Sequence, residues 1–331
     1  MQYPSSNFDY YLPSKSIKQK PYKNPLNSKL LIAETKKIIK FKNLRMNIKK
    51  NSVFVLNKSK VEKVRIESVK STGGRIEFLI LKIESTYEAT CLIKSSDTKT
   101  IGKIYNTSDF QAKIIHISDG IFKILFDQDV NEIIKKLGKV PLPPYIKDNP
   151  KKYKYYNNQY SEGGFSVAAP TAGFHFTKNL INNLEQDGHK FLYVNLNVNI
   201  DTFKPIETNF LEDHIIHKEE YEIEEETFNK LLKYKSLDKN IICVGTTTLR
   251  AIESAYINQA LTGETDLFIK PNSKLNIPSQ LITNFHAPKS SLLSIVQCVY
   301  GDNWKDIYSY AINQKLKFLS FGDAVLFNVN E

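Results

Sequence analysis

Three short stretches and one pair of histidines hold four of the chain's six histidines, together with hydroxyls and cations that could grip an anion. In "PTAGFHFT" (170–177), His175 stands beside Thr171, Gly173 and Thr177 with no acidic or lysine side chain among them. Imidazole titrates near neutrality, hydroxyls supply hydrogen bonds, and glycine lets the backbone come close to a ligand. In "VGTTTLR", Gly245 is followed by Thr246 and Thr247 and then by Arg250. A turn of that kind offers unpaired N–H groups and a bidentate guanidinium to a carboxylate or phosphate. It lacks the Gly-Lys-Ser/Thr ending of a P-loop. In "TNFHAPKSS", Asn284, His286, Lys289 and Ser290 crowd a single turn. Helix capping explains Ser290 but hardly all four.

The fourth constellation is "HIIHKEEYE", where His214 and His217 lie three apart with Glu219 just beyond. On a helix that spacing places both rings on one face. HxxH is not the HExxH zinc motif and spacing offers no third ligand, so a metal site is the weaker reading. Two imidazoles and a carboxylate suit proton transfer or a polar ligand. Taken singly, each stretch also fits a structural role: a turn shaped by Pro170 and Gly173 around a packed His175, or a helix capped by threonine. Their joint presence at strand-to-helix turns marks a site, because open α/β sheets bind ligands there.

Two different patterns of elements surround these turns. From about residue 61 to 126, short runs of period two are separated by turn signals, as in "VEKVRIESV", "RIEFLILKI" and "FQAKIIHI". That pattern indicates a small antiparallel barrel or sandwich. The helix "DVNEIIKKLG" and the stiff "VPLPPYI" then read as the exit from a domain. After residue 150 strands alternate with helices. "TKNLINNLEQDG" offers Thr177 as N-cap, Leu180, Ile181 and Leu184 on one face and Gly188 as stop. "NIICVG" is a continuous apolar strand of the kind buried in a parallel sheet. With "SVFVLN" assigned to the same layer, the fold is an α/β main domain formed by 1–60 and 149–331, interrupted by an antiparallel β-barrel at 61–148.

Composition narrows the partners. Across 331 residues, 46 Lys+Arg against 35 Asp+Glu give a net charge of +11, which favours a polyanion such as nucleic acid. The same excess also fits a lysine-rich solvated surface. Residues 36–63 carry ten Lys/Arg and the single acid Glu62. Tyr153, Tyr155, Tyr156 and Tyr160 form a cluster that either stacks on unpaired bases or packs on the core. Cys91, Cys243 and Cys298 are far apart, so neither a zinc ribbon nor a disulfide framework is expected. No apolar run approaches the ~18 residues of a membrane helix, and a cytoplasmic monomer is the simplest expectation.

In order, "FDYYLP", "TGGRIEFLIL", "PLPPYI", "SVAAPTAGFHFT", "TFKPI", "HIIHKEEYE", "VGTTTLRAIES", "LITNFHAPKSSLL" and "FLSFGDA" resemble the S-adenosylmethionine:tRNA ribosyltransferase-isomerase (QueA) family of queuosine biosynthesis. The resemblance spans about residue 8 to 327. It implies an α/β domain of that family's type with an inserted β-barrel. It also implies transfer and isomerisation of the ribosyl moiety of S-adenosylmethionine onto 7-aminomethyl-7-deazaguanine at the tRNA wobble position. The products would be epoxyqueuosine-tRNA, adenine and methionine, with S-adenosylmethionine a co-substrate and no cofactor required.

That chemistry needs a base for the proton beside the sulfonium and donors for leaving groups. His175, His214, His217, Glu219 and His286 are the candidates, with His175 or the His214/His217 pair favoured as base and Glu219 orienting an imidazole. Thr246, Thr247 and Arg250 are expected to hold the methionine carboxylate or a phosphate, Asn284 to read a base edge and Lys289 to meet the tRNA backbone. Thr171, Gly173 and Ser290 complete the binding set, and Asp323 in "FGDA" meets a substrate ammonium or hydroxyl or else caps a turn. The chain departs from the family at "LNVNIDTF", where Asn197, Asn199 and Asp201 replace a histidine and two glycines, and at "NKSKV" (57–61). A homologue that binds tRNA or S-adenosylmethionine without completing the transfer is therefore the alternative reading.

Overall fold

The computed structural model describes residues 2–199 and 204–329, so Asp201 lies outside the described residues. The chain divides into two compact units, one of Met1–Lys60, Pro144–Gly164 and Ala168–Glu331, the other of Val61–Pro143 and Phe165–Val167. The division falls within the proline-rich "VPLPPYI".

The larger unit begins with β1 (Lys29–Ile32), β2 (Lys37–Lys40) and β3 (Val53–Asn57). The smaller unit follows with β4 (Arg65–Val69), β5 (Arg75–Ile83), β6 (Glu88–Lys94), β7 (Ile104–Asn106), β8 (Gln111–Ser118), β9 (Ile121–Phe126) and helix α1 (Val130–Leu137). Its six strands run in the order β4-β5-β6-β9-β8-β7 with every neighbouring pair antiparallel. The two edges meet: Ser108 N–H donates to the Val69 carbonyl at 2.9 Å and Ser71 N–H to the Asn106 carbonyl at 2.8 Å, flanking a Lys70–Thr107 bridge. The sheet thereby closes into a barrel and leaves no long edge open to pairing. Register shifts at Ile80/Lys82 and Ile114/His116 add local twist. Phe78 packs against Tyr105, Phe110 and Phe126 inside, at centroid separations of 6.0, 5.6 and 5.8 Å.

Back in the larger unit come α2 (Lys178–Gln186), β10 (Lys190–Leu196), β11 (Glu219–Glu222), α3 (Glu225–Ser236), β12 (Ile241–Val244), α4 (Thr246–Asn258), β13 (Thr262–Thr265), β14 (Gln280–Asn284), α5 (Leu292–Tyr300), α6 (Trp304–Asn313) and β15 (Ala324–Asn328). Nine strands form one sheet in the order β13-β11-β10-β3-β12-β14-β15-β1-β2. The central four, β10, β3, β12 and β14, are parallel. From β3 the chain passes to β10 on one side and later crosses to β12 on the other. The strand order reverses there, which leaves a crevice beyond the carboxyl ends.

Both faces of this sheet are covered, which explains why β3 and β12 are apolar along their length rather than alternating. Val53, Val55, Ile241, Cys243 and Leu281 pack with residues of α4, α5 and α6, whereas Phe54, Leu56, Ile242, Val244 and Ile282 pack with Leu180, Ile181 and Leu184 of α2. The Thr177 hydroxyl accepts the Leu180 N–H at 3.2 Å and caps α2 as its sequence indicates. "SVFVLN" is a central strand of the α/β layer, as expected.

Candidate active site

A cavity of about 200 Å³ lies at the carboxyl ends of β12 and β14. Its wall includes Thr171 and Ala172 of the 3-10 turn Thr171–His175, Gly245, Thr246 and Thr247 at the start of α4, Thr283 and Asn284 at the end of β14, and then His286, Ser290 and Leu292. All three stretches singled out from the sequence therefore meet at one cavity.

Gly245 has φ +93°, a conformation that glycine adopts at little cost, and it turns the chain from β12 straight into α4. The N–H of Leu249 donates to the Gly245 carbonyl at 3.2 Å, so the N–H groups of the preceding threonines fall outside the helical ladder at the positive end of the helix. Thr248 donates its hydroxyl to the Val244 carbonyl at 2.7 Å and is structural. Asn57, which ends the apolar β3, donates to Leu196 O at 3.0 Å and to Thr247 Oγ1 at 3.3 Å. It ties β3, β10 and α4 together at the sheet's carboxyl edge.

His286 is the imidazole on the cavity wall. Its Nε2 is 3.1 Å from Thr283 Oγ1, its backbone N–H donates to the Tyr308 hydroxyl at 3.2 Å, and its backbone carbonyl accepts the Tyr10 hydroxyl. Burial pushes its pKa down to about 3, so the ring is neutral at physiological pH. His175 is not on the wall. It stands behind Asn284, with Nδ1 2.8 Å from Ser28 Oγ, Nε2 3.4 Å from Asn284 Nδ2 and its ring stacked on Phe41 at 4.8 Å. Burial lowers its pKa to about 4. Gly173 also lies off the wall. A Cβ there would come within 2.0 Å of the Tyr160 hydroxyl and 2.7 Å of the Asn158 amide, so the close approach expected at this glycine is to the protein itself.

A second, narrow cleft holds His214, His217, Glu219 and Arg250, with Leu292 shared between it and the cavity. The segment carrying the two histidines is not helical. It runs without regular structure from the short turn Leu211–Asp213 into β11, so the two rings share the cleft without sharing a helix face. Glu219 accepts from the Arg250 Nη1–H and from the Asn199 N–H at 2.7 Å, and both of these partners are other than an imidazole. The Arg250 Nε–H donates to the Leu267 carbonyl at 3.1 Å, and its Nη2 is buried with no partner among the described residues. The guanidinium is therefore partly engaged by the protein and has one nitrogen left to give.

The remaining candidates are dispersed. Ser290 is on the wall, and its hydroxyl accepts the Leu292 N–H at 3.2 Å where α5 starts. The Lys289 side chain is half exposed, 3.6 Å from Asp9. The Asp323 carboxylate accepts from the Tyr22 hydroxyl at 2.8 Å, the Lys29 N–H at 2.8 Å and the Lys317 N–H at 2.7 Å, the bonds of a turn anchor. Of the tyrosine cluster, Tyr156 is fully buried against Phe174 and Phe321, which removes it from base stacking, while Tyr155 is exposed. The sequence assigns no role to Ser28, Asn57 or Thr283, although the last two begin the quoted "NKSKV" and "TNFHAPKSS". Asn57 and Thr283 carry a signal in retrospect, a polar side chain closing an apolar strand, but nothing local distinguishes Ser28. Among the described residues no three His, Cys, Asp or Glu side chains gather as a metal would need, and no helix is long and apolar enough to cross a membrane.

The profile of the family described as "Queuosine biosynthesis protein" matches residues 5–327. The S-adenosylmethionine:tRNA ribosyltransferase-isomerase of Vesicomyosocius okutanii is 37% identical over 333 residues, covering 98% of this chain and 98% of the relative. The enzyme of the same name from Carboxydothermus hydrogenoformans is 37% identical over 332 residues, covering 97% and 98%. Among solved structures, an S-adenosylmethionine tRNA ribosyltransferase from Thermotoga maritima superposes with a TM-score of 0.54 at 28% identity, covering 97% of this chain and 99% of that one.

Proposed function

The chain belongs to the queuosine biosynthesis protein family, and from that premise we propose that it works as an S-adenosylmethionine:tRNA ribosyltransferase-isomerase. It transfers and isomerises the ribosyl moiety of S-adenosylmethionine onto 7-aminomethyl-7-deazaguanine at the tRNA wobble position. Adenine and methionine are released, and S-adenosylmethionine is a co-substrate. The observation that carries this reading is the cavity where Thr171, Asn284, His286 and the α4 N-terminus converge on the carboxyl ends of parallel strands.

A sulfonium acidifies the adjacent C–H. The neutral imidazole of His286, on the wall and shielded from water, supplies a lone pair for that proton. The α4 N-terminus with Thr246 and Thr247 suits an anionic group of either substrate, and the spare Nη2 of Arg250 suits the methionine carboxylate. His214 and His217 line the cleft around Arg250 and fit the amino-acid end better than the ribose. Of the family departures, Asn197 donates its side chain to Glu220 at 3.3 Å, whereas Asn199 bonds Glu219 through its backbone N–H, a bond that a glycine there would make equally. The meeting of Thr171, Thr246, Thr247, Asn284 and His286 at one cavity favours the complete reaction over binding alone. The reading extends to a cytoplasmic monomer, the compartment in which tRNA is met.

Incubating the protein with S-adenosylmethionine and tRNA bearing the 7-aminomethyl base tests the reading by mass spectrometry of the base. A ribosyl-derived addition with equal adenine and methionine is expected. A methylated base or unchanged tRNA would contradict it.

A further inference from the structure

Five polar groups behind the cavity form a hydrogen-bond chain whose direction can be worked out from its ends. At one end the Ser28 hydroxyl donates to the Pro25 carbonyl at 2.6 Å. A carbonyl only accepts, so the single Ser28 proton is committed, and the 2.8 Å contact with His175 Nδ1 must be filled by a proton on that nitrogen. The neutral ring then has its lone pair on Nε2. At the other end the Asn284 side chain lies 3.3 Å from the Asp323 carbonyl, which again only accepts, so the amide nitrogen is on that side. The same nitrogen is the one 3.4 Å from His175 Nε2. Two carbonyls that share no atoms thus demand the same polarity, and the intermediate groups agree with it. The stack on Phe41 fixes the ring plane.

We infer that Ser28 and His175 are positioning residues that hold Asn284 with its amide oxygen, not its nitrogen, offered at the cavity wall, so that the ligand group bound there is a hydrogen-bond donor. Thr171, also on the wall, donates to that oxygen at 2.9 Å and leaves its second lone pair for a ligand. Resting on the adenosyl reading proposed above, the donor is the exocyclic amine of adenine. The adjoining apolar wall, with Ala172, Phe285 and Leu292, suits a flat base. An oxo group in place of the amine would set acceptor against acceptor in a buried site, at a cost of roughly tenfold to a hundredfold in affinity.

Nitrogen NMR of the imidazoles in the full chain reads the ring directly, and His175 is expected with its proton on Nδ1. Calorimetry with S-adenosylmethionine and its inosine counterpart reads the consequence: wild type should prefer the amine, and Ser28→Ala should narrow the preference while Ser28→Thr, which keeps the hydroxyl, restores it. A proton on Nε2 overturns the chain. Equal binding of the two nucleosides by wild type overturns the specificity. If neither compound binds, the adenosyl reading falls and the ligand assignment with it, while the ring tautomer still decides for or against the positioning role.

Discussion

Burial holds His175 and His286 in their neutral form, and the sign of the effect can be measured. The ordinary imidazole value is 6.5, and in the folded chain it falls to about 4 for His175 and about 3 for His286. Between 6.5 and those lower values the unfolded chain takes up protons that the native rings refuse. Native stability is thus fully present above pH 6.5 and declines as the pH falls towards 4, by on the order of 3 kcal/mol for a ring shifted as His175 is. In denaturant melts at pH 7 and pH 4.5, His175→Gln should lose less stability on acidification than wild type; an unchanged loss would show that this ring is not the acid-sensitive group. The type of residue at 175 was legible in the sequence, but its place was not. Its partner Ser28 is 147 positions away, and the family motif around it does not say that Asn284 stands between the ring and the cavity.

At the scale of elements, local signals served where the physics is local. Thr177 caps α2, Leu180, Ile181 and Leu184 form its buried face, and Gly245 makes the turn into α4. They failed at "HIIHKEEYE", because histidines three apart fit a helix and equally the irregular approach to the four-residue β11, which is paired on both sides by residues distant in sequence. Gly173 shows how an element is held by another. Its 3-10 turn presses so closely on Tyr160 and Asn158 that no Cβ fits. Gly173→Ala should therefore destabilise the fold by about 1–3 kcal/mol, and Tyr160→Phe, which removes the nearest atom, should recover part of that loss in the double variant. Additive losses in a double-mutant cycle would mean that the alanine is accommodated in some other direction.

For the molecule as a whole, the division of labour was legible because it rests on period. Alternating strands closed into a barrel, and continuous apolar strands became the centre of a sheet covered on both faces. Which turns share a cavity was not legible in physical terms, since it depends on the strand order across β3, which brings the ends of β12 and β14 side by side. The net charge of +11 fits a tRNA substrate but locates no contact. The central claim is that the cavity at those strand ends performs the transfer, with His286 as the imidazole at the reacting atoms. The measurement that bears on it most directly is adenine release from S-adenosylmethionine in the presence of tRNA carrying the 7-aminomethyl base, for wild type and His286→Gln side by side. Wild type should release adenine only when that tRNA is present, and His286→Gln should be slower by roughly a hundredfold or more while still binding S-adenosylmethionine. Release by the variant at the wild-type rate, or none from either protein, would contradict the account.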